Sequence, residues 1–213
     1  MRIGFVSNSG LDVVLTAAAY LVLVSLALII RESFRARVGE AVGDRVPRLA
    51  GRLNPSFPKM YDPLGSIFFP IFTAVTGATA YSWATPLSYD IGNPGSRRPV
   101  VVSSVAGSLA NLTAALLAAR LVSPLIESAL ATRVLGLFIL ANVSMAVMHM
   151  LPVPPLDGSR IVAAFLSPRA RAAYQRIEPW GIAILFGIAF VFRALFSNQP
   201  FGSIISALLR LIA

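Results

Sequence analysis

The sequence predicts an all-α integral membrane bundle of about four to six membrane segments, with a short β or extended element near residues 81–90. Three observations carry that expectation. Of 213 residues, 56% are hydrophobic and only 13% charged, whereas a soluble domain carries about 25% charge. Mean hydropathy is +0.76. Long stretches hold almost no charge: residues 11–30 contain only Asp12, residues 100–119 contain none, and residues 134–151 contain only His149. About 20 apolar residues in a helix cross a hydrocarbon core of about 30 Å, so these three runs predict three spans within one membrane domain covering residues 1–213.

Charge and rare residue types narrow the function classes. Lys and Arg number 18 against 9 Asp and Glu, a formal net charge of +9. Basic loops flanking spans explain this excess and favour the cytoplasmic side. No basic patch is interleaved with base-stacking aromatics, so nucleic acid is not an expected partner. The expected surroundings are a lipid bilayer, and the Arg-rich, Lys-poor composition fits a bacterial inner membrane. With no cysteine, disulfides and thiolate metal sites are excluded. His149 is the single histidine.

Along the chain, the first run follows a lone Arg2 and no small-residue cleavage site, which reads as a retained span. It passes directly into residues 31–59, with six arginines and Lys59 against Glu32, Glu40 and Asp44. No breaker precedes Gly39, so the helix is expected to continue beyond Ile30 before a proline-rich loop. Residues 63–80 are apolar but interrupted by Pro63, Gly65, Pro70 and Gly77, which favours a short or re-entrant segment. Residues 81–89 read as extended chain, tolerated at membrane depth where protein or a cavity satisfies its backbone. Residues 90–99 form a turn-rich loop. Gly107, Ser108 and Ala110 supply small residues for close helix approach in the next span. Pro152, Pro154 and Pro155 end the span from residue 134. Residues 159–178 read as a basic loop, 179–192 as a shallow or tilted segment, and 201–213 as a short apolar helix. If the two basic regions share one side, an even number of full spans separates them.

The stretch Met148-His149-Met150-Leu151-Pro152-Val153-Pro154-Pro155-Leu156-Asp157-Gly158 resembles the L-D-G signature of the site-2 protease family. The likeness extends in order along the chain. Arg52-Leu53-Asn54-Pro55 and Asp62-Pro63-Leu64-Gly65 resemble the family's R-L-x-x-N-P and D-P-L-G stretches. Trp83-Ala84-Thr85-Pro86 resembles its W-A-x-P element, and Ala106-Gly107-Ser108-Leu109-Ala110-Asn111 its A-G-P-L-A-N helix. The resemblance covers about residues 20–190 and implies an intramembrane zinc metalloprotease framework.

The family's first signature, H-E-x-x-H, places two histidines on one helical face to hold zinc while the glutamate activates water. The corresponding residues here are Arg31, Glu32, Ser33, Phe34 and Arg35. Glu32 therefore stands at the general-base position and Asp157 at the position of the third ligand. Arginine has no lone pair for a metal, so a catalytically silent member that needs no cofactor is the leading expectation. Arg31 and Arg35 balance Glu32 and Asp157 without a metal. They either form ion pairs with Asp157 or snorkel to the interface. Trp83, Asn111, Asn142 and His149 are candidates for lining a cavity that receives a membrane segment or peptide, with interfacial or helix-glue roles as the plainer readings. The alternative is an active metalloprotease with zinc held by His149 and Asp157. A transporter or channel is a third class.

Overall fold

The computed structural model describes residues 10–76, 81–85, 97–181, 183–184, 187, 207–208 and 210–211. Its first helix, α1 (Gly10–Ala41), runs 32 residues, about 48 Å at 1.5 Å per residue. It continues well past Ile30, as the lack of breakers predicts, and carries the arginine-rich sequence as helix. Gly43, at φ 103°, closes it with its N–H on the Glu40 carbonyl at 3.0 Å. This left-handed position costs an L side chain energy that glycine avoids. Asp44 then accepts a hydrogen bond from Val46 N at 2.9 Å, opening α2 (Val46–Leu49), which α3 (Phe57–Met60) follows.

A π-helical turn (Pro63–Phe68) leads into α4 (Phe69–Thr76). Together they make a short apolar rod begun by Asp62, whose carboxylate accepts from Gly65 N at 2.7 Å. Residues 81–85 follow as non-helical chain. Among the described residues there is no strand, and residues 86–90 of the expected extended element lie outside them. What replaces a ladder is anchoring to the preceding turn: Trp83 N donates to Gly65 O at 3.3 Å and Thr85 N to Met60 O at 3.1 Å.

The next hairpin pairs α5 (Arg97–Leu117) with α6 (Ala129–His149). Between them, Ala118–Val122 and Ser123–Leu125 continue as π and 3-10 turns. The region read as a basic loop is helical: α7 (Asp157–Phe165) and α8 (Pro168–Gln175) occupy it. Three helical stretches are long and apolar enough to cross a membrane among the described residues, namely Ala17–Ala41, Arg97–Leu125 and Ala129–His149. Most of residues 179–192 and 201–213 lies outside the described set.

Helix α1 packs on both α5 and α6, and α5 also packs on α7. One apolar cluster joins Tyr20, Val24, Ala27 and Leu28 of α1 to Ala141 and Met145 of α6. A second gathers Phe69, Tyr81, Trp83 and Leu156. The ends of the helices are also fixed. A Cβ on Gly39 would stand 3.2 Å from Ser103 Cβ, and Val100 packs on Ala163 and Ala164. The C-terminal end of α1, the N-terminal end of α5, and α7 therefore share one end of the bundle.

Candidate functional site

The site forms where α1, the turn before α7, and the chain at 81–85 converge. Arg31 and Arg35 lie four residues apart on one face of α1, with Glu32 beside them. Asp157 is the first residue of α7. The proline-rich turn delivers it there because Leu156 N bonds Val153 O at 2.9 Å and Ser159 Oγ bonds Leu156 O at 2.7 Å. Gly158 lets α7 press against the end of α6. A Cβ there would collide with the carbonyl oxygens of Met150 and Leu151.

Arg31 is 1% exposed, Glu32 3%, Arg35 4% and Asp157 2%. The Arg31 guanidinium forms ion pairs with both Glu32 and Asp157, and neither it nor Arg35 extends to the surface. Arg35 reaches Glu32 Oε2 at 3.0 Å and Asp157 Oδ1 at 3.7 Å. Two further guanidiniums join that were not singled out from sequence. Arg160 approaches Asp157 Oδ1 at 3.3 Å and Arg52 approaches Glu32 Oε2 at 3.8 Å. The balance of two charges against two therefore becomes four guanidiniums around two carboxylates. Arg160 had a local signal, its i+3 spacing from Asp157 on a helix. Arg52 stood in the sequence only as the first residue of a family-like stretch, and its approach to Glu32 depends on the tertiary fold that brings the loop after α2 to α1. Gly107 of α5 completes the wall: a Cβ there would come 3.3 Å from Arg31 Cγ.

His149 is 4% exposed, and its Nε2 contacts Ser82 O at 3.0 Å. A carbonyl can only accept, so this contact assigns the ring proton to Nε2. Trp83 packs edge-on against Phe69, ring centroids 5.0 Å apart, and a Cβ on Gly65 would lie 2.5 Å from its indole. Ser66 Oγ donates to Trp83 O at 3.0 Å. Residues 81–85 are thus held between the 60–66 turn and the end of α6.

A cavity of about 20 Å³ remains at the cluster, lined by Arg31, Glu32, Arg35, His149, Asp157 and Arg160, with Trp83 at its wall. Asn111 and Asn142 do not line it. Both are fully buried between helices, and Asn142 Nδ2 donates to Phe138 O at 2.9 Å. Among the described residues, no three His, Cys, Asp or Glu side chains gather as a metal-holding group.

The profile of Peptidase family M50 matches residues 6–192. The chain is 27% identical over 190 residues to a Bacillus subtilis (strain 168) protein named "Putative zinc metalloprotease YwhC", covering 83% of this chain and 82% of that one. No solved structure matches significantly. With three spanning helices on this framework, the chain is a multi-pass integral membrane protein in a lipid bilayer, and it belongs to Peptidase family M50, the site-2 proteases.

Proposed function

We propose that this chain keeps the site-2 protease framework without peptidase chemistry, and binds or regulates a membrane segment or peptide instead of cutting it. One observation carries this reading: the Arg31 guanidinium sits between Glu32 and Asp157, engaging both. In the family's scheme those carboxylates are the general base and a zinc ligand. Here each is an ion-pair partner. Arginine offers no lone pair to a metal, and His149 has its Nε2 proton directed at Ser82 O. The donor set does not fit zinc, and a water on a zinc ion is the nucleophile that such chemistry needs.

Retaining the ion pairs has a physical motive. A charge left alone at membrane depth costs several kcal/mol, so replacing a metal and two imidazoles by two guanidiniums keeps Glu32 and Asp157 compensated. The Arg31–Asp157 pair then fixes α1 to the start of α7. Trp83 and His149, at the wall of the cavity, are the residues assigned to meet a bound segment. The Arg-rich composition and the Bacillus relative support a bacterial cell membrane as its location.

Metal content of the detergent-purified protein, measured by mass spectrometry after removal of weakly held ions, tests the reading. The expected result is zinc far below one per chain. One zinc per chain, lost on His149→Ala or Asp157→Ala, overturns it in favour of an active metalloprotease using those two residues. The double substitution Arg31→His with Arg35→His is expected to raise zinc toward one per chain.

A further inference from the structure

We infer that the face built by the start of α5, the end of α7 and the outer side of α8 is a docking surface for anionic phospholipid headgroups of the surrounding bilayer. The inference stands apart from the question of peptidase chemistry, since no residue of the buried ion-pair cluster takes part. Arg97 and Arg98 open α5, and the spanning stretch Arg97–Leu125 begins with them. A span that starts there puts both side chains at headgroup level, where basic residues meet lipid phosphates. The first turn of α5 holds no acidic residue. The positive end of the helix dipole therefore adds to the two guanidiniums and nothing local offsets it.

Packing brings two more arginines to this level. Val100 and Val101, one turn beyond Arg97 and Arg98, pack with Ala163 and Ala164 of α7 and Tyr174 of α8. Tyr174 and Arg171 form the inner side of α8: Arg171 bonds the carbonyls of Ala163 and Leu166, and Tyr174 bonds that of Pro152. Arg169 and Arg176 are seven residues apart, two helical turns, and share the opposite side. All four arginines, 97, 98, 169 and 176, are exposed. Among the described residues, none of the four is paired with a carboxylate. Between Ser159 and Trp180 the one acidic residue is Glu178.

Apolar side chains among these charges favour a lipid over a soluble polyanion. The Arg97 guanidinium stands over the ring of Phe165, 5.7 Å from its centroid, a cation–π contact. Phe165 is nevertheless exposed, and so is Val162, one turn earlier on the same side of α7. Trp180, four residues after Arg176, is exposed as well, and tryptophan is enriched at the membrane interface. A phospholipid covers such side chains with the upper part of its acyl chains while its phosphate meets the guanidinium forks.

Reconstitution in phosphatidylcholine vesicles that contain phosphatidylglycerol provides the test, with a spin-labelled analogue of each lipid reporting how much of it the protein immobilises. One basic residue near an anionic surface is worth roughly fivefold in affinity, and this face takes only part of the lipid shell, so immobilisation on the order of twofold greater for the phosphatidylglycerol analogue is expected at low salt. Raising salt from about 0.01 M to about 1 M shortens screening from about 30 Å to about 3 Å. The two analogues are then expected to converge, a result that needs no variant. The variant carrying Arg97→Gln, Arg98→Gln, Arg169→Gln and Arg176→Gln is expected to lose most of the preference, whereas Arg120→Gln, beyond the other end of α5, keeps it. Equal immobilisation of both analogues at low salt would overturn the inference, as would a preference that survives either high salt or the fourfold substitution. Loss of the preference to added soluble polyglutamate, which then binds the protein in pure phosphatidylcholine, would reassign the face to an acidic protein partner.

Discussion

With 1% of its surface exposed and a carboxylate on either side, Arg31 makes two ion pairs at once. Removing one member of a buried pair leaves its partners' charge uncompensated and costs about 3–5 kcal/mol. Arg31→Met keeps much of the stem against Gly107 while deleting the charge, so its loss is expected at about 3 kcal/mol. Arg48 provides the contrast. It pairs with Glu40 from a side chain that is 70% exposed, and Arg48→Met is expected to cost less than about 1 kcal/mol. Unfolding in detergent measures both, and equal losses would mean that the buried pairing does not hold the cluster together. At this scale the sequence was legible where a residue type excludes a chemistry. One histidine in the chain, and arginines at 31 and 35, leave no imidazole pair. The convergence of Arg52 on Glu32 was not legible, since it depends on how the segment after α2 folds back beneath α1.

The start of α7 shows how an element can place a site residue to within an ångström. Asp157 points at Arg31 because Gly158 allows backbone contact with the last turn of α6. The substitution Gly158→Ala puts a Cβ onto two carbonyl oxygens, and backbone cannot rotate away as a side chain would. Loss of the folded state, or a drop of more than about 3 kcal/mol, is expected. Gly107→Ala is milder, because its added methyl would lie 3.3 Å from Arg31 Cγ and 3.4 Å from its Cζ, side-chain atoms that need give by only a few tenths of an ångström. About 1 kcal/mol is expected there. Limited proteolysis and Tm would rank the two, and a Gly107 variant as damaging as the Gly158 one would contradict this account. The same region marks where sequence reading of elements failed. Residues 159–178 look like a loop because four arginines against one glutamate make them basic. The structure makes them helix because tertiary partners satisfy the ends: Arg171 Nε donates to Ala163 O at 2.9 Å and its Nη2 to Leu166 O at 3.1 Å. Tyr174 Oη adds a bond to Pro152 O at 2.7 Å. Hydrophobic runs made the long spans of α1, α5 and α6 readable, whereas these short helices depend on contacts that no local pattern records.

At the scale of the whole molecule, helix ends decide topology. Gly39 near the end of α1 lies against Ser103 near the start of α5, and Val100 of α5 packs on α7. The chain between α1 and α5 therefore leaves and re-enters at one end of the bundle. The rod of Pro63–Phe68 and Phe69–Thr76 is fourteen residues long, about 21 Å, shorter than a hydrocarbon core of about 30 Å. A dip into the membrane and back satisfies both facts, whereas a full crossing would need a second crossing within the same connection. The end of α1 and residues 159–178 then share a side, which the positive-inside rule predicts to be cytoplasmic. The absence of cysteine makes this directly testable, since any introduced thiol is unique. Leu49 is 86% exposed and Phe165 67%, at the shared end; Leu125 is 81% exposed at the opposite turn of the hairpin. Single variants Leu49→Cys and Phe165→Cys are expected to react with an impermeant maleimide only when the cytoplasmic face is opened. Leu125→Cys is expected to react in intact cells once any outer barrier is permeabilised. If Leu49→Cys and Phe165→Cys label from opposite faces, α1 and α7 do not meet at one end. The arginine cluster that joins them would then have to be abandoned along with the topology.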